Sequence, residues 1–302
     1  MITDHIPSDP AAVESWLQRR ENRVSGLRQE ARSRIVWGPA GPKRSSCCLV
    51  YLHGFKAGPL EGDPVHFRVA RRLGCNLLLG RLSGHGLVHD RPLENLRAED
   101  LTASARTALE TGLRLGRQVV LMGTSTGATL ALDLAGREEY RDRIRALVLY
   151  APLVDFHGIP SRLLKNRHLR RLAARVPGRR FLLRSSPASL RESKIWYSQY
   201  ALQGLLALGA LVERTMTPAG WSRVNQPLFT GWWPGDRVVS VPAIARMARG
   251  LGTPEEQLRL AAYPEAGDHV ICNGQLSGAV DRLTGDTVDF LGPLLERKGQ
   301  NS

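Results

Sequence analysis

The stretch Val119-Val120-Leu121-Met122-Gly123-Thr124-Ser125-Thr126-Gly127-Ala128 decides how this chain folds. Four apolar residues read as a buried strand, a Gly-x-Ser-x-Gly turn follows, and Ala128 to Leu134 carry a helical period. Three fixed positions recur by chance in a chain of 302 residues, so the pattern gains its meaning from its context. Between a strand and a helix, the two glycines let the chain leave the strand at a tight, strained angle. Ser125 then stands at the C-terminal edge of a sheet and at a helix N-terminus, which makes it a candidate nucleophile. The bland alternative is an ordinary helix-capping serine.

On both sides of this stretch, short apolar runs alternate with helix-period segments. Cys47 to Leu52, Cys75 to Leu79 and Ile144 to Tyr150 read as strands, and Phe67 to Leu73 and Leu96 to Leu115 as helices. A first helix is expected from about Pro10 to Gln29. After a gap the rhythm resumes with strands at Pro227 to Trp232 and Gln257 to Ala262 and helices at Val241 to Leu251 and Leu276 to Leu295. Such alternation predicts an α/β class with a mostly parallel central sheet flanked by helices. Between about Asp155 and Asn225 the chain turns helical and basic. The expected organisation is a core of residues 1–154 and 226–302 with a helical cap, residues 155–225, inserted into it.

A serine nucleophile needs a base, and the base needs a carboxylate to hold its tautomer. His269 follows a strand and a loop, and Asp236 sits just past the preceding strand. Ser, Asp, His on successive strand ends is the chain order of a nucleophile elbow on a parallel sheet. Asp268 is the rival acid, but neighbouring side chains diverge and grip each other's rings poorly. The oxyanion needs two N–H donors, expected from Thr126, which follows the nucleophile, and from Phe55 in Tyr51-Leu52-His53-Gly54-Phe55. His53 is expected to brace that loop and not to catalyse.

With these pieces the chain resembles α/β-hydrolase fold serine hydrolases, closest to the capped carboxylesterase and monoacylglycerol lipase group. The matching motifs are His53-Gly54-Phe55, Gly84-His85-Gly86, Gly123-Thr124-Ser125-Thr126-Gly127, Asp236 and Gly267-Asp268-His269. The resemblance implies the α/β-hydrolase fold and ester hydrolysis through an acyl-enzyme, under a helical cap and without a cofactor. Short- to medium-chain acyl esters or monoacylglycerol-like lipids are the expected substrates. A thioesterase, a lysophospholipase, a carbon–carbon bond hydrolase and a non-catalytic binding protein of the same fold are the alternatives. Threonine flanks Ser125 on both sides, where the family often has His or Leu before it and Met or Leu after it.

The 42 Lys and Arg against 28 Asp and Glu leave a charge of +14, nearly all of it arginine. From Ser161 to Arg184 the cap carries Arg162, Lys165, Arg167, Arg170, Arg171, Arg175, Arg179, Arg180 and Arg184 with no acid. Leu163, Leu164, Leu169, Leu172 and Val176 are spaced for one apolar face. That pattern makes the cap a candidate surface for an anionic membrane, an acidic partner or an anionic substrate, or simply a solvated face over a packed one. No nucleic-acid motif accompanies it, so nucleic acid is not an expected partner. The apolar segment Ala201 to Val212, with Trp196, Tyr197 and Trp233, could line an acyl pocket or be plain core. Cys47, Cys48, Cys75 and Cys272 lack metal or disulfide spacing and read as reduced, buried thiols, so no metal is expected. Met1 to Pro10 has no basic start leading into an apolar run, so a cytoplasmic location is expected.

Overall fold

A computed structural model describes residues 5–158, 164–175, 182–184 and 192–296. The strands are β1 (Arg34–Val36), β2 (Ser45–Leu52), β3 (Asn76–Gly80), β4 (Gly116–Thr124), β5 (Ile144–Tyr150), β6 (Leu182–Arg184), β7 (Gln199–Ala201), β8 (Leu228–Trp232) and β9 (Leu258–Ala262). Seven of them form one sheet in the order β1-β3-β2-β4-β5-β8-β9. In this sheet only β1 runs antiparallel to its neighbour; β3, β2, β4, β5, β8 and β9 pair in parallel. The short β6 and β7 pair with each other, antiparallel and apart from the sheet.

The helices are α1 (Pro10–Asn22), α2 (Val65–Arg72), α3 (Ala98–Leu115), α4 (Thr126–Ala135), α5 (Arg167–Arg175), α6 (Leu202–Thr215), α7 (Val241–Gly250) and α8 (Val280–Glu296), with single turns between them. Alternation of side chains along a strand divides the core between two faces. Cys48, Val50 and Leu52 of β2, with Val119 and Leu121 of β4, pack with α1, α3, α4, α6 and α7. Cys47, Leu49 and Tyr51, with Val120 and Met122, pack with α2 and α8. Burial on both faces is why these strands are continuous apolar runs with no polar alternation.

Three expectations shift. α1 ends at Asn22, short of Gln29, because Gly26 turns left-handed and its carbonyl accepts from Val88 N–H at 2.7 Å. The last helix begins at Val280, after a turn in which Ser277 Oγ accepts the Ala279 N–H. β1 has three residues, too few for a period to show.

Between β5 and β8, α6 packs on α3 and α4 and buries Leu206, Ala207, Leu208, Leu211 and Val212, so its apolar surface is core. Part of the basic charge here is engaged in ion pairs within the chain. Lys165 pairs with Asp155 at 2.6 Å, Arg214 with Glu99 at 2.6 Å, and Arg170 with Glu213. Of the expected apolar face, Leu164 is buried, while Leu169 and Leu172 are exposed. Arg162, Leu163, Val176, Arg179 and Arg180 lie outside the described residues. All four cysteines are buried and unpaired. Among the described residues no helix is long and apolar enough to cross a membrane.

The closest packing occurs where α4 leaves β4. A Cβ on Gly123 would lie 2.5 Å from the Gly127 backbone, and one on Gly127 would run into the Leu52 carbonyl of β2. Gly285 in α8 has nothing within 4 Å of its Cβ position. Gly127→Ala should therefore lower the unfolding free energy by about 2–3 kcal/mol. Gly285→Ala should raise it by about 0.5–1 kcal/mol. Urea unfolding midpoints at pH 7 check both signs.

Candidate active site

Ser125 sits at the junction of β4 and α4 with φ 51° and ψ −112°, a conformation that residues with a side chain rarely adopt. Its N–H donates to the Tyr150 carbonyl of β5 at 2.9 Å, and its carbonyl accepts from Thr129 N–H at 3.1 Å and Leu153 N–H at 3.2 Å. The neighbouring strand and the first turn of α4 thus hold the strained residue from both sides. Ser125 keeps a small exposed surface, and Thr126 beside it is fully buried.

Asp236 lies in the Trp233–Asp236 turn after β8. Its Oδ1 accepts from Val238 N–H at 2.7 Å and Val239 N–H at 3.0 Å, and its Oδ2 meets His269 Nδ1 at 2.6 Å. Burial opposes the charge, yet the His269 hydrogen bond, the His269 charge and the two amides hold this carboxyl below its ordinary value. An ionised partner on Nδ1 keeps the proton there and leaves Nε2 as the basic nitrogen. Asp268 instead accepts from Val270 N–H at 2.7 Å, closing a local turn. No hydrogen bond joins the Ser125 hydroxyl to His269 in this structure. Apo sites commonly leave this contact long until substrate tightens it.

The loop after β2 is held amide by amide. Gly54 N–H donates to Glu61 Oε2 at 2.6 Å, Lys56 N–H to His85 Nε2 at 3.2 Å, and Ala57 N–H to the Gly54 carbonyl at 3.3 Å. Between them the Phe55 N–H has no hydrogen-bond partner among the described residues, as a donor reserved for a ligand requires. His53 Nδ1 donates to the Gly54 carbonyl at 2.9 Å while its Nε2 accepts from Leu82 N–H at 3.0 Å. His85 is tied in the same manner to Ser83 and Lys56. Each ring both donates and accepts, so each is neutral. Burial pushes His53 well below the ordinary histidine range and His85 down to about 4. These two histidines brace the loop.

The segment between β5 and β8 reaches the same loop. Tyr197 N–H donates to the Lys56 carbonyl at 2.8 Å, and the Tyr197 hydroxyl accepts from Leu87 N–H at 2.6 Å. The Phe55 ring meets Tyr200 edge-on at 5.1 Å. Trp196 is buried, with its indole N–H on Glu61 Oε1 at 3.3 Å. Trp233 is half-buried and stands over Gly235 in the turn that carries Asp236. Sequence reasoning passed over Glu61, because no motif spacing marks a buried acid in a turn. A cleft of about 590 Å³ lined by Arg44, Arg117, Arg141, Arg143 and Arg145 lies at the other end of the sheet. Among the described residues no cluster of three or more His, Cys, Asp or Glu is arranged to hold a metal ion.

Residues 49–274 match the profile described as "Alpha/beta hydrolase family". No curated protein sequence matches the chain. Among solved structures, a metagenome-derived lipolytic enzyme is similar, with a TM-score of 0.69 and 18% identity over 88% of this chain and 99% of that one. A monoacylglycerol lipase from Paleococcus ferrophilus is similar with a TM-score of 0.63 and 13% identity, over 87% and 98% of the two chains. A soluble variant of monoglyceride lipase from Saccharomyces cerevisiae follows with a TM-score of 0.59 and 14% identity, over 87% and 92%. At such identities the likeness is one of fold.

The neutral histidines carry a pH dependence. An unfolded histidine takes its proton near pH 6.5, whereas His85 takes it only near 4 and His66, also buried, near 3. As pH falls from 6.5 toward 4, the unfolded chain binds protons first and stability is lost. Glu61, which burial pushes up to about 7 from 4.5, acts in the opposite direction over that interval. His85→Gln should shrink the loss of unfolding free energy between pH 7 and 4.5 by about 2 kcal/mol. Urea titrations at the two pH values measure it.

Proposed function

The chain belongs to the alpha/beta hydrolase family, and from that premise we propose that it is a serine hydrolase of carboxylic esters, with Ser125 as nucleophile, His269 as base and Asp236 as its orienting acid. The observation that carries the reading is the 2.6 Å contact of Asp236 with His269 Nδ1, on strand-end loops of the parallel sheet whose β4 ends in the strained Ser125. Family membership and the likeness in fold to lipolytic enzymes support the ester class. Short- to medium-chain acyl esters and monoacylglycerol-like lipids are the proposed substrates, with thioesters as the alternative.

In this mechanism Ser125 Oγ attacks the acyl carbon while His269 Nε2 takes the hydroxyl proton. The carbonyl oxygen becomes an oxyanion and accepts from the Phe55 and Thr126 N–H groups. Collapse breaks the ester C–O bond, and the leaving alkoxide takes the proton from Nε2. A water then repeats the sequence on the acyl-enzyme: its proton goes to Nε2, its oxygen to the acyl carbon, and Ser125 leaves with that proton as the acid departs. Asp236 stays ionised throughout and stabilises the imidazolium. No step requires a cofactor.

Residues 155–225 are proposed to act as a cap over the site. The bonds of Trp196 to Glu61, which holds the Gly54 N–H, and of Tyr197 to the Lys56 carbonyl support this role. Exposed Leu169 and Leu172 beside Arg167 and Arg171 on α5 favour an anionic lipid surface as the place where the cap docks.

Initial rates on p-nitrophenyl esters from acetate to palmitate test the reading. Ser125→Ala should lose about 10⁴-fold or more in kcat, and Asp236→Asn on the order of 10⁴-fold. Activity within tenfold of wild type in Ser125→Ala would show that another group is the nucleophile. For the cap, the chain should sediment with phosphatidylglycerol vesicles and not with phosphatidylcholine. Leu172→Asp should weaken that binding, and equal partition on both lipids would defeat it.

A further inference from the structure

Glu61 is a carboxylic acid only 2% exposed, in the turn between β2 and α2, and no Lys or Arg forms an ion pair with it among the described residues. Burying an acid without a cation is unfavourable, and a neutral residue of the same shape would avoid that cost. What the acid supplies is acceptor capacity. Its Oε2 takes the Gly54 N–H at 2.6 Å and the Tyr51 hydroxyl at 3.2 Å, and its Oε1 takes the Trp196 indole N–H at 3.3 Å. Its backbone carbonyl accepts from Asn273 Nδ2 at 3.0 Å, just past His269. One residue therefore touches β2, the loop after it, the inserted segment and the segment that carries His269.

Gly54 shows what this achieves. Glycine is the freest residue in the chain, and here both of its peptide groups are fixed. The carbonyl is held by His53 Nδ1 and Ala57 N–H, and the N–H is held by Glu61. A Cβ on Gly54 would lie 2.9 Å from Glu61 Oε1, so the approach requires glycine. The next N–H along the chain is that of Phe55, and its direction follows from the two peptide planes of Gly54.

We propose that Glu61 is a positioning residue for the oxyanion loop: its carboxylate locks Gly54, so aiming the Phe55 N–H at the reacting oxygen, and through Trp196 it ties the inserted segment to the same loop. The inference rests on the esterase reading for the role of Phe55. The titratable groups that face Glu61 are Tyr51 from β2, and His269 and Cys272 from the segment before α8. Burial pushes its carboxyl up to about 7, with the Gly54 amide, His269, Trp196 and Tyr51 pulling the other way. Protonation near neutrality then weakens the acceptor that holds Gly54.

The experiment compares wild type, Glu61→Ala and Glu61→Gln on p-nitrophenyl butyrate, together with hydrogen exchange of the peptide spanning residues 52–58. Glu61→Ala should lose about 100-fold in kcat with KM within about threefold. Glu61→Gln, whose amide oxygen still accepts from Gly54, should recover about tenfold of that loss. From pH 8 down to 5.5, log kcat/KM should fall about one unit further in wild type than in either variant, the tenfold that separates a carboxylate from a neutral acceptor at residue 61. Exchange over 52–58 should accelerate in Glu61→Ala. A kcat within threefold of wild type in Glu61→Ala, unchanged exchange in Glu61→Ala, or a fall below pH 8 as large in Glu61→Gln as in wild type each overturns the proposal. If Glu61→Ala does not fold, the pH dependence of Glu61→Gln against wild type decides. If wild type hydrolyses no ester, the esterase reading fails and exchange alone judges Glu61: acceleration upholds the lock on Gly54, and no change overturns it.

Discussion

The backbone of Ser125, held at φ 51°, is the constraint on which the rest of the arrangement depends. Such a conformation costs on the order of 1–3 kcal/mol and persists only where the surroundings over-determine it. Here the surroundings are specific. Gly123 and Gly127 let α4 approach β2 at backbone distance, and Tyr150 and Leu153 bond the two polar groups of Ser125. Both glycines and β5 must be in place before the serine can stand where it does. The parallel sheet supplies the remaining geometry: strands running in one direction deliver the loops after β2, β4, β8 and β9 to a single edge.

Four histidines in this core show how partners divide one residue type among different jobs. His53, His66 and His85 are fully buried, bond main-chain groups and are driven to low proton affinity by burial. His269 alone faces a carboxylate at 2.6 Å and keeps some exposed surface. The base role proposed for His269 calls for a charged partner and access. The structural rings have neither.

Much of the fold was legible because each strand of the sheet interior is a continuous apolar run, the signature of burial on both faces. β1 was not, since three residues carry no period, and α1 was read too long because Val24 continues its spacing while the carbonyl contact of Gly26 lies 62 residues away along the chain, at Val88. Asp236 and His269 could be picked out as the residues following strand runs, and Asp268 set aside because adjacent side chains diverge. Glu61 and the use of Trp196 were not legible. Both depend on a turn folding beneath a loop and on the inserted segment returning to meet it, contacts that join residues 54, 61 and 196 and leave no local pattern.

The arginine bias has a consequence at the alkaline end of the pH scale. Only five lysines contribute to the positive charge, and guanidinium does not lose its proton in proteins. Several arginines also work as hydrogen-bond donors to main-chain carbonyls: Arg44 to Gly116, Arg145 to Leu294 and Arg170 to Leu164. All six tyrosines, and Cys47, Cys48 and Cys272, are pushed toward higher proton affinity, burial being the first cause for all but Cys47, where the Cys75 hydrogen bond leads. These tyrosines and three cysteines thus stay neutral in the folded chain into more alkaline conditions than their free side chains would. The molecule therefore carries an almost constant electrostatic surface through mild alkali, the conditions in which activated esters and acyl-enzymes are attacked fastest by hydroxide.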